Sequence, residues 1–156
     1  MRTVFSRERG SYGINCRERL KRVLSRAQEL AGLGDCKGTL SIIATSPGTM
    51  AEMNRQFLDH KGATDVLTFD LRDEAFPAED DDTVAEIYVC PEVAFEFSRK
   101  FGTTPSYELV LYMVHGMLHL AGEDDLDEEA RKSMRAAEAR VMDGLIRHHN
   151  LEGFIV

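Results

Sequence analysis

The sequence predicts an α/β (α+β) protein in which a small mixed sheet of about four strands packs with about five helices. Its 156 residues, 43% hydrophobic and 29% charged, are typical of one domain with a substantial core, spanning residues 1–156. Short, β-branched apolar segments alternate with longer segments whose apolar residues recur at helical spacing. We therefore expect strands and helices to alternate along the chain.

The first half of the chain predicts two strands and two helices. Residues 3–6 predict a weak strand, and residues 15–31 carry apolar side chains at helical spacing, followed by Gly32 and Gly34, which favour a helix end. Residues 40–45 (LSIIAT) are apolar and β-branched, which is typical of a buried strand. The Ser-Pro-Gly that follows predicts passage into a helix at residues 49–57.

Two further strands are predicted at residues 66–71 and 84–90, on either side of the acidic segment 72–82. That segment (RDEAFPAEDDD) predicts an exposed loop, so we expect the two strands to be antiparallel neighbours. Pro91 suits the first turn of a helix running to about residue 100, because the missing N–H of proline is not needed there.

Two helices complete the predicted layout. Thr104 and Pro105 predict the cap and first turn of a helix through residue 120, which is apolar almost all round and is therefore expected to be central and buried. Gly122 favours its end. Residues 126–149 predict a last helix, since acidic residues occupy its first turn and basic residues its last, which complements the helix dipole.

The charge balance argues against a general electrostatic attraction to nucleic acid. The formal net charge is −8, and such a chain is not pulled as a whole towards a phosphate backbone. Residues 1–37 nevertheless carry a local charge of +5, which leaves −13 for the remainder. This asymmetry is compatible with a basic patch for an anionic partner or with an ordinary solvated helix face.

Cysteine usage and hydropathy indicate the compartment. Cys16, Cys36 and Cys90 show no C-x-x-C spacing, which favours a reducing cytoplasm over a disulfide framework or a cysteine zinc ribbon. The first ten residues lack the apolar stretch of a signal peptide. The longest apolar run, residues 109–114, is far shorter than the roughly 20 residues of a membrane-spanning helix. We expect a cytoplasmic protein without a membrane segment.

Two histidines on the central helix predict a metal site. His115 and His119 stand at positions i and i+4, so both imidazoles lie on one face and can reach the same ion. Gly122 turns the chain back, so that Asp125, or Asp124 as the reserve ligand, can add a carboxylate. Two imidazoles, one carboxylate and an open position are typical of catalytic zinc, which acidifies a bound water.

The same residues also allow structural roles that involve no metal. The histidines could be satisfied core residues, although burying two titratable rings requires partners for both. Asp125 could instead open the last helix, because Asp125 and Glu128 have the spacing of a capping box. The pattern is also not the H-E-x-x-H of zinc proteases, since Gly116 stands where their general-base glutamate would be.

Four ordered blocks give the sequence a family resemblance. His115-Gly-x-Leu-His119-Leu-x-Gly122-x-Asp124-Asp125 resembles the H-G-x-L-H-L-x-G-Y-D-H signature of the YbeY family, the bacterial endoribonucleases and ribosomal RNA maturation factors. The other blocks are Met53-Asn54 with Thr64-Asp65-Val66-Leu67-Thr68-Phe69, similar to L-N and T-D-V-L-S-F; Ala85-Glu86-Ile87, similar to G-D-I; and Glu108-Leu109, similar to E-L. The resemblance covers roughly residues 40–125.

The resemblance implies a fold, a cofactor and a substrate. It implies a single domain with a small mixed sheet, and one zinc ion at the three histidine positions of the signature, here His115, His119 and Asp125. It implies cleavage of single-stranded RNA in ribosomal RNA processing, at the 3′ end of 16S ribosomal RNA. The expected partners are this RNA and the small ribosomal subunit, with neither DNA nor a membrane.

The chain departs from the family pattern at three places. Asp125 replaces the third histidine, which makes the site more anionic and bears on metal preference. Leu58 stands where the family has an arginine, so the expected catalytic cation is missing. Glu86 replaces an aspartate and lengthens one carboxylate arm.

Other charged residues near these blocks have open roles. Arg55 and Lys61 are candidate phosphate contacts or ordinary surface charges, and we assign no catalytic residue. Asp65 is either a polar group supporting the cleft or a strand-end cap.

Three functions follow from these patterns. The first is a metal-dependent endoribonuclease, favoured because an open site with three ligands is unusual for a structural metal. The second is a ribosome-assembly binding factor with a structural metal and little or no activity, which Leu58 and the charge of −8 favour. The third is a metallohydrolase of small or peptide substrates, which the absence of the protease glutamate disfavours.

Overall fold

Strands and helices alternate along the chain in a computed structural model that describes residues 1–57 and 66–155. Within these residues the order is β1 (Arg2–Arg7), α1 (Arg17–Ala31), β2 (Thr39–Ala44), α2 (Pro47–Phe57), β3 (Val66–Asp70), β4 (Thr83–Val89), α3 (Pro91–Phe101), α4 (Pro105–Leu120) and α5 (Glu128–His148). The predicted α/β class is confirmed, and each predicted element is present with its ends shifted by at most two residues.

The four strands form one mixed sheet in the order β1-β2-β4-β3. The pairs β1-β2 and β2-β4 are parallel, whereas β3 and β4 run antiparallel on either side of the acidic segment, as predicted. Parallel strands require crossover connections. Helix α1 lies between β1 and β2 in the chain, and α2 and β3 lie between β2 and β4. The sheet therefore has β3 at one edge and β1 at the other.

The two sheet faces carry cores of different size. Inward side chains of β2 and β4, such as Ile42 and Ile87, belong to the main core together with residues of α1, α4 and α5. The opposite face carries a smaller cluster built on Met50, Leu67, Cys90 and Val93. Side chains alternate between the faces because a strand has a period of two residues.

Helix α4 is central and buried, as its composition predicts. Eleven of its sixteen residues are buried, and it packs against α1, α3, α5 and two strands. Thr104 caps it, since its hydroxyl accepts a hydrogen bond from the backbone N–H of Tyr107 at 3.1 Å. Gly122 has a φ of +107°, a value that disfavours other residues, and lies just beyond the helix end.

The hydrophobic surfaces of the helices face the sheet and one another. Within residues 1–57 and 66–155, no helix combines the length and apolar composition that crossing a bilayer requires.

Candidate metal centre

The helical spacing of His115 and His119 brings their imidazoles together on one face of α4. Their Nε2 atoms lie 3.0 Å apart. Both side chains are partly buried, with 20% and 29% of their surface exposed, so the pair opens to solvent on one side. The predicted juxtaposition of the two rings is therefore present in the structure.

Asp125 completes a cluster of three. Its Oδ2 lies 3.6 Å from Nε2 of His115 and 3.7 Å from Nε2 of His119. One ligand atom from each residue falls within 4.8 Å of the other two. The loop that follows Gly122 brings the carboxylate to the histidines, and the side chain of Asp125 remains 44% exposed.

The neighbouring aspartates have other partners. Asp127 is the N-cap of α5, because its Oδ1 accepts from the backbone N–H of Ala130 at 2.7 Å. The capping alternative for Asp125 is therefore wrong, since the cap lies two residues later. Asp124 accepts from the backbone N–H of Leu126 at 3.2 Å and is outside the cluster of three.

The far nitrogen of each ring contacts an acceptor. Nδ1 of His115 lies 2.8 Å from Oε1 of Glu138, and Nδ1 of His119 lies 3.0 Å from the backbone carbonyl oxygen of Glu123. A carbonyl oxygen or a carboxylate can only accept, so each Nδ1 carries the hydrogen and donates it. In a neutral imidazole, Nε2 then holds a lone pair.

This pattern leaves three acceptors facing one another, namely the two Nε2 lone pairs and the Asp125 carboxylate. Such an arrangement requires a shared positive charge, either a proton or a metal ion, to offset the repulsion. The separations of 3.0, 3.6 and 3.7 Å can each be spanned by two bonds of about 2.0–2.2 Å, as in zinc coordination. The donor set of two imidazoles and a carboxylate thus fits zinc.

The structure explains why glycine follows His115. A Cβ at Gly116 would lie 2.7 Å from Oγ1 of Thr68 and 2.9 Å from Cδ1 of Ile87. This position faces β3 and β4, so a glutamate here would clash with the sheet instead of reaching the cluster. The geometry argues against catalysis of the zinc-protease type.

Arg72 was not identified from the sequence, yet it supports the end of α4. Its guanidinium donates to both carboxylate oxygens of Asp70, at 2.8 and 2.7 Å, and also to the backbone carbonyl of Leu120. The hydrogen bonds from Arg72 lower the pKa of Asp70. Arg72 therefore links the end of β3 to the C-terminal end of α4 at Leu120, one residue after His119.

The structure describes only one of the charged residues whose roles the sequence left open. Arg55 forms an ion pair with Glu52 on the exposed side of α2, as an ordinary surface charge would. Leu58, Lys61 and Asp65 lie outside the described residues, so their predicted roles remain predictions.

Asn54 and Glu86 also belong to the family blocks and lie in the described part of the chain. Asn54 is fully buried on α2. Glu86 accepts a hydrogen bond from the Tyr88 hydroxyl at 2.7 Å on β4. Burial, together with this bond, raises the pKa of Tyr88 to about 12.

The basic residues of α1 are partly engaged with near neighbours. Lys21 pairs with Glu18 at 3.3 Å and Arg26 with Glu29 at 2.8 Å, in both cases three residues apart on the exposed face. Arg19 donates to two backbone carbonyls of the C-terminal segment, those of Asn150 and Glu152. These contacts favour the solvated-face interpretation for this helix.

Sequence reasoning also missed Glu138. It lies on α5, 23 residues after His115, and its role depends on how two helices pack. One signal was present: Glu138 interrupts the apolar side of α5, beside the buried Met134, Ala137 and Val141. A carboxylate at such a position requires a partner.

Comparison with known proteins identifies relatives of this chain. The family model for endoribonuclease YbeY matches residues 6–146. A Salinibacter ruber endoribonuclease YbeY is 34% identical over 119 residues, covering 72% of this chain and 76% of the relative. A Thermotoga petrophila endoribonuclease YbeY is 40% identical over 99 residues, covering 64% of this chain and 61% of the relative.

A solved structure shows the same fold. The solution structure of a Thermotoga maritima protein has a TM-score of 0.58 and 28% sequence identity, and the match covers 92% of this chain and 88% of that one. The family resemblance that the four sequence blocks indicated is confirmed, and the family model extends it to residues 6–146. Because the family model matches nearly its full length, this chain belongs to the endoribonuclease YbeY family.

Proposed function

We propose that the protein is a zinc-dependent endoribonuclease that cleaves single-stranded RNA during ribosomal RNA maturation, at the 3′ end of 16S ribosomal RNA. The observation that carries this proposal is the convergence of His115, His119 and Asp125 in a chain of this family. Curated relatives are named endoribonucleases, and their name supports RNA as the substrate here. One zinc ion would be held by these three side chains.

Each residue of the site has a defined task in this proposal. His115 and His119 present Nε2 to the ion, because Glu138 and the carbonyl of Glu123 hold the ring protons at Nδ1. When bound, zinc supplies Lewis acidity towards a phosphate oxygen or a water molecule. The partial exposure of all three side chains leaves room for an RNA strand to approach.

Asp125 also sets the charge of the site. A carboxylate in place of a third imidazole lowers the net charge of a zinc site from +2 to +1, which weakens its pull on a phosphate. It also shifts the donor set towards harder ions. Zinc remains the cofactor that we propose. Because manganese is a harder ion, we expect it to compete with zinc better here than at a site with three histidines.

Metal content tests the site first. Mass spectrometry of freshly purified wild type is compared with His119→Ala and Asp125→Ala, with Asp124→Ala as the matched control. Near-stoichiometric zinc in the wild type and in the Asp124 variant, lost in the other two, supports the site. A wild type that holds no metal under any loading condition would overturn the proposal.

Activity is tested on single-stranded RNA with the same four proteins. We expect cleavage by the wild type and the Asp124 variant, and loss by at least about 100-fold in His119→Ala, because the Lewis acid is lost with its ligand. Equal cleavage by His119→Ala would instead indicate a contaminating nuclease and contradict the assignment.

A second candidate is a ribosome-assembly factor whose metal is structural. Leu58 in place of an arginine and the net charge of −8 favour it. It predicts co-sedimentation with small-subunit particles that survives in His119→Ala, without RNA cleavage by the wild type. We place either activity in the cytoplasm, which the three free cysteines favour.

A further inference from the structure

We infer that Glu138 is a positioning residue of the metal site, which orients His115 and keeps its proton on Nδ1. The inference rests on the zinc site proposed above and adds a residue that does not itself touch the ion. Its basis is the contact between Oε1 of Glu138 and Nδ1 of His115 at 2.8 Å.

The position of Glu138 makes this contact more than a surface ion pair. Its side chain is 19% exposed, and that of His115 is 20% exposed. Its neighbours on the same side of α5, Met134, Ala137 and Val141, are buried in the apolar core. A carboxylate in such surroundings loses hydration, and the hydrogen bond from His115 compensates for that loss.

The contact has a chemical consequence for the ligand atom. Because a carboxylate can only accept, Nδ1 of His115 keeps its hydrogen and Nε2 keeps its lone pair towards His119 and Asp125. The negative charge also makes the imidazole a stronger donor to a metal. Without this acceptor, the contact that holds the hydrogen on Nδ1 is lost, and a hydrogen on Nε2 would block coordination.

Helix α5 also supports the second histidine, although less directly. The carbonyl that accepts from Nδ1 of His119 belongs to Glu123, whose carboxylate accepts a hydrogen bond from the Ser133 hydroxyl of α5 at 3.0 Å. A side-chain substitution cannot remove the backbone carbonyl of Glu123, but it can remove the carboxylate of Glu138. Glu138 is therefore the site at which the positioning role of α5 can be tested.

Zinc affinity of the full-length protein provides the first test, by competition with a chromogenic chelator. The variants are Glu138→Ala and Glu138→Gln, and the control is Asp143→Asn, which removes an exposed carboxylate from the same helix. We expect zinc binding to weaken by about 10–100-fold in Glu138→Ala, as for other groups that orient metal ligands. Glu138→Gln should lie between it and the wild type, and Asp143→Asn should match the wild type.

A second measurement does not depend on metal. Nitrogen-15 NMR of the metal-free protein reports which ring nitrogen of His115 carries the hydrogen. We expect Nδ1 of His115 to carry a hydrogen in the wild type and in Asp143→Asn, whether or not a proton is shared between the two Nε2 atoms, and a mixture of Nδ1–H and Nε2–H forms in Glu138→Ala. Glutamine can donate as well as accept, so Glu138→Gln should also lose the single form. A role limited to packing would leave the protonated nitrogen unchanged.

The outcomes separate the inference from the function on which it rests. Unchanged zinc affinity and an unchanged His115 ring in a folded Glu138→Ala would overturn the inference. If that variant fails to fold, the nearly isosteric Glu138→Gln gives the same decision. A wild type that binds no zinc would defeat the proposed function, while the ring measurement would still decide the role of Glu138.

Discussion

Three aspartates between Gly122 and α5 have three different tasks. Asp124 closes a local turn on the N–H of Leu126, Asp125 faces the two histidines, and Asp127 caps α5. The residue type is the same in each case, so the task depends on where the backbone directs the side chain. Substitutions at these positions should therefore separate metal binding from helix stability.

At Asp125 and Asp127 we expect opposite phenotypes. Asp127→Ala should cost about 1 kcal/mol of stability, because the N–H of Ala130 loses its capping partner, and should retain zinc. Asp125→Ala should lose zinc with little effect on the stability of the metal-free protein, because its side chain is exposed. Urea unfolding of the metal-free proteins and metal analysis provide the measurements. Loss of zinc in both variants to the same degree would contradict the separation.

Gly116 is predicted to be intolerant of even one methyl group. Gly116→Ala places a Cβ 2.7 Å from Oγ1 of Thr68 and 2.9 Å from Cδ1 of Ile87, so α4 or the sheet must shift. We expect a loss of about 1–3 kcal/mol, as for other overpacked cores, measured by urea unfolding. Gly48→Ala on α2 is the control, since among the described residues its Cβ meets no atom within 4 Å. Equal stability of the two variants would show that the helix is not held this closely.

At the scale of secondary-structure elements, Glu8 joins the end of β1 to the start of α2. Its carboxylate accepts from the backbone N–H of Ser46 at 2.8 Å and from the Thr49 hydroxyl at 2.5 Å. The Thr49 hydrogen bond first, and then the Ser46 amide, lower the pKa of Glu8 below its ordinary value of 4.5. The ionised form is therefore favoured by folding, and it also complements the positive end of the helix dipole.

This contact predicts a pH-dependent stability. The contribution of Glu8 is fully present above its unfolded pKa of 4.5 and is lost as the pH falls through the lower folded value. Glu8→Gln should be less stable than the wild type by about 0.3–1 kcal/mol at pH 7, and the difference should shrink at acid pH. Urea unfolding at pH 7 and pH 3 tests this, with exposed Glu96→Gln on α3 as control. A difference that persists unchanged at pH 3 would contradict an electrostatic origin.

The sequence predicts well those features that depend only on residues close together in the chain. The prolines opening α3 and α4, the threonine cap and the i, i+4 histidine pair depend only on nearby residues, and all are present in the structure. The alternative role of Asp125 as the cap of α5 is wrong by two residues, because Asp125 and Asp127 both suit a cap and only the path of the loop decides between them. Contacts between distant residues, such as those of Glu138 and Arg72, require the packed fold before they can be identified.

At the scale of the whole molecule, the candidate metal centre lies where three parts of the chain meet. Helix α4 supplies His115 and His119, the loop after Gly122 supplies Asp125, and α5 supplies Glu138. The other side of α4 packs on the sheet through Gly116. An ion at this point would join the loop and α5 to the buried helix, so its binding energy becomes part of the stability of this corner of the fold.

Zinc should therefore stabilise the protein as a whole and α5 in particular. A ligand that binds only the folded state adds about 2.7 kcal/mol at a concentration 100 times its Kd. We expect zinc to raise the unfolding temperature, a chelator to reverse the increase, and His119→Ala to respond to neither. His148→Ala, which removes an exposed histidine at the end of α5, should respond like the wild type.

Hydrogen exchange locates the effect within the fold. On chelation we expect faster exchange in residues 121–127 and in the first half of α5, because the ion no longer joins them to α4, with little change in the central strands β2 and β4. Stabilisation of His119→Ala by zinc to the same extent as the wild type would place the ion elsewhere. Uniform changes across the sheet would instead indicate that the metal acts on global unfolding and not on this junction.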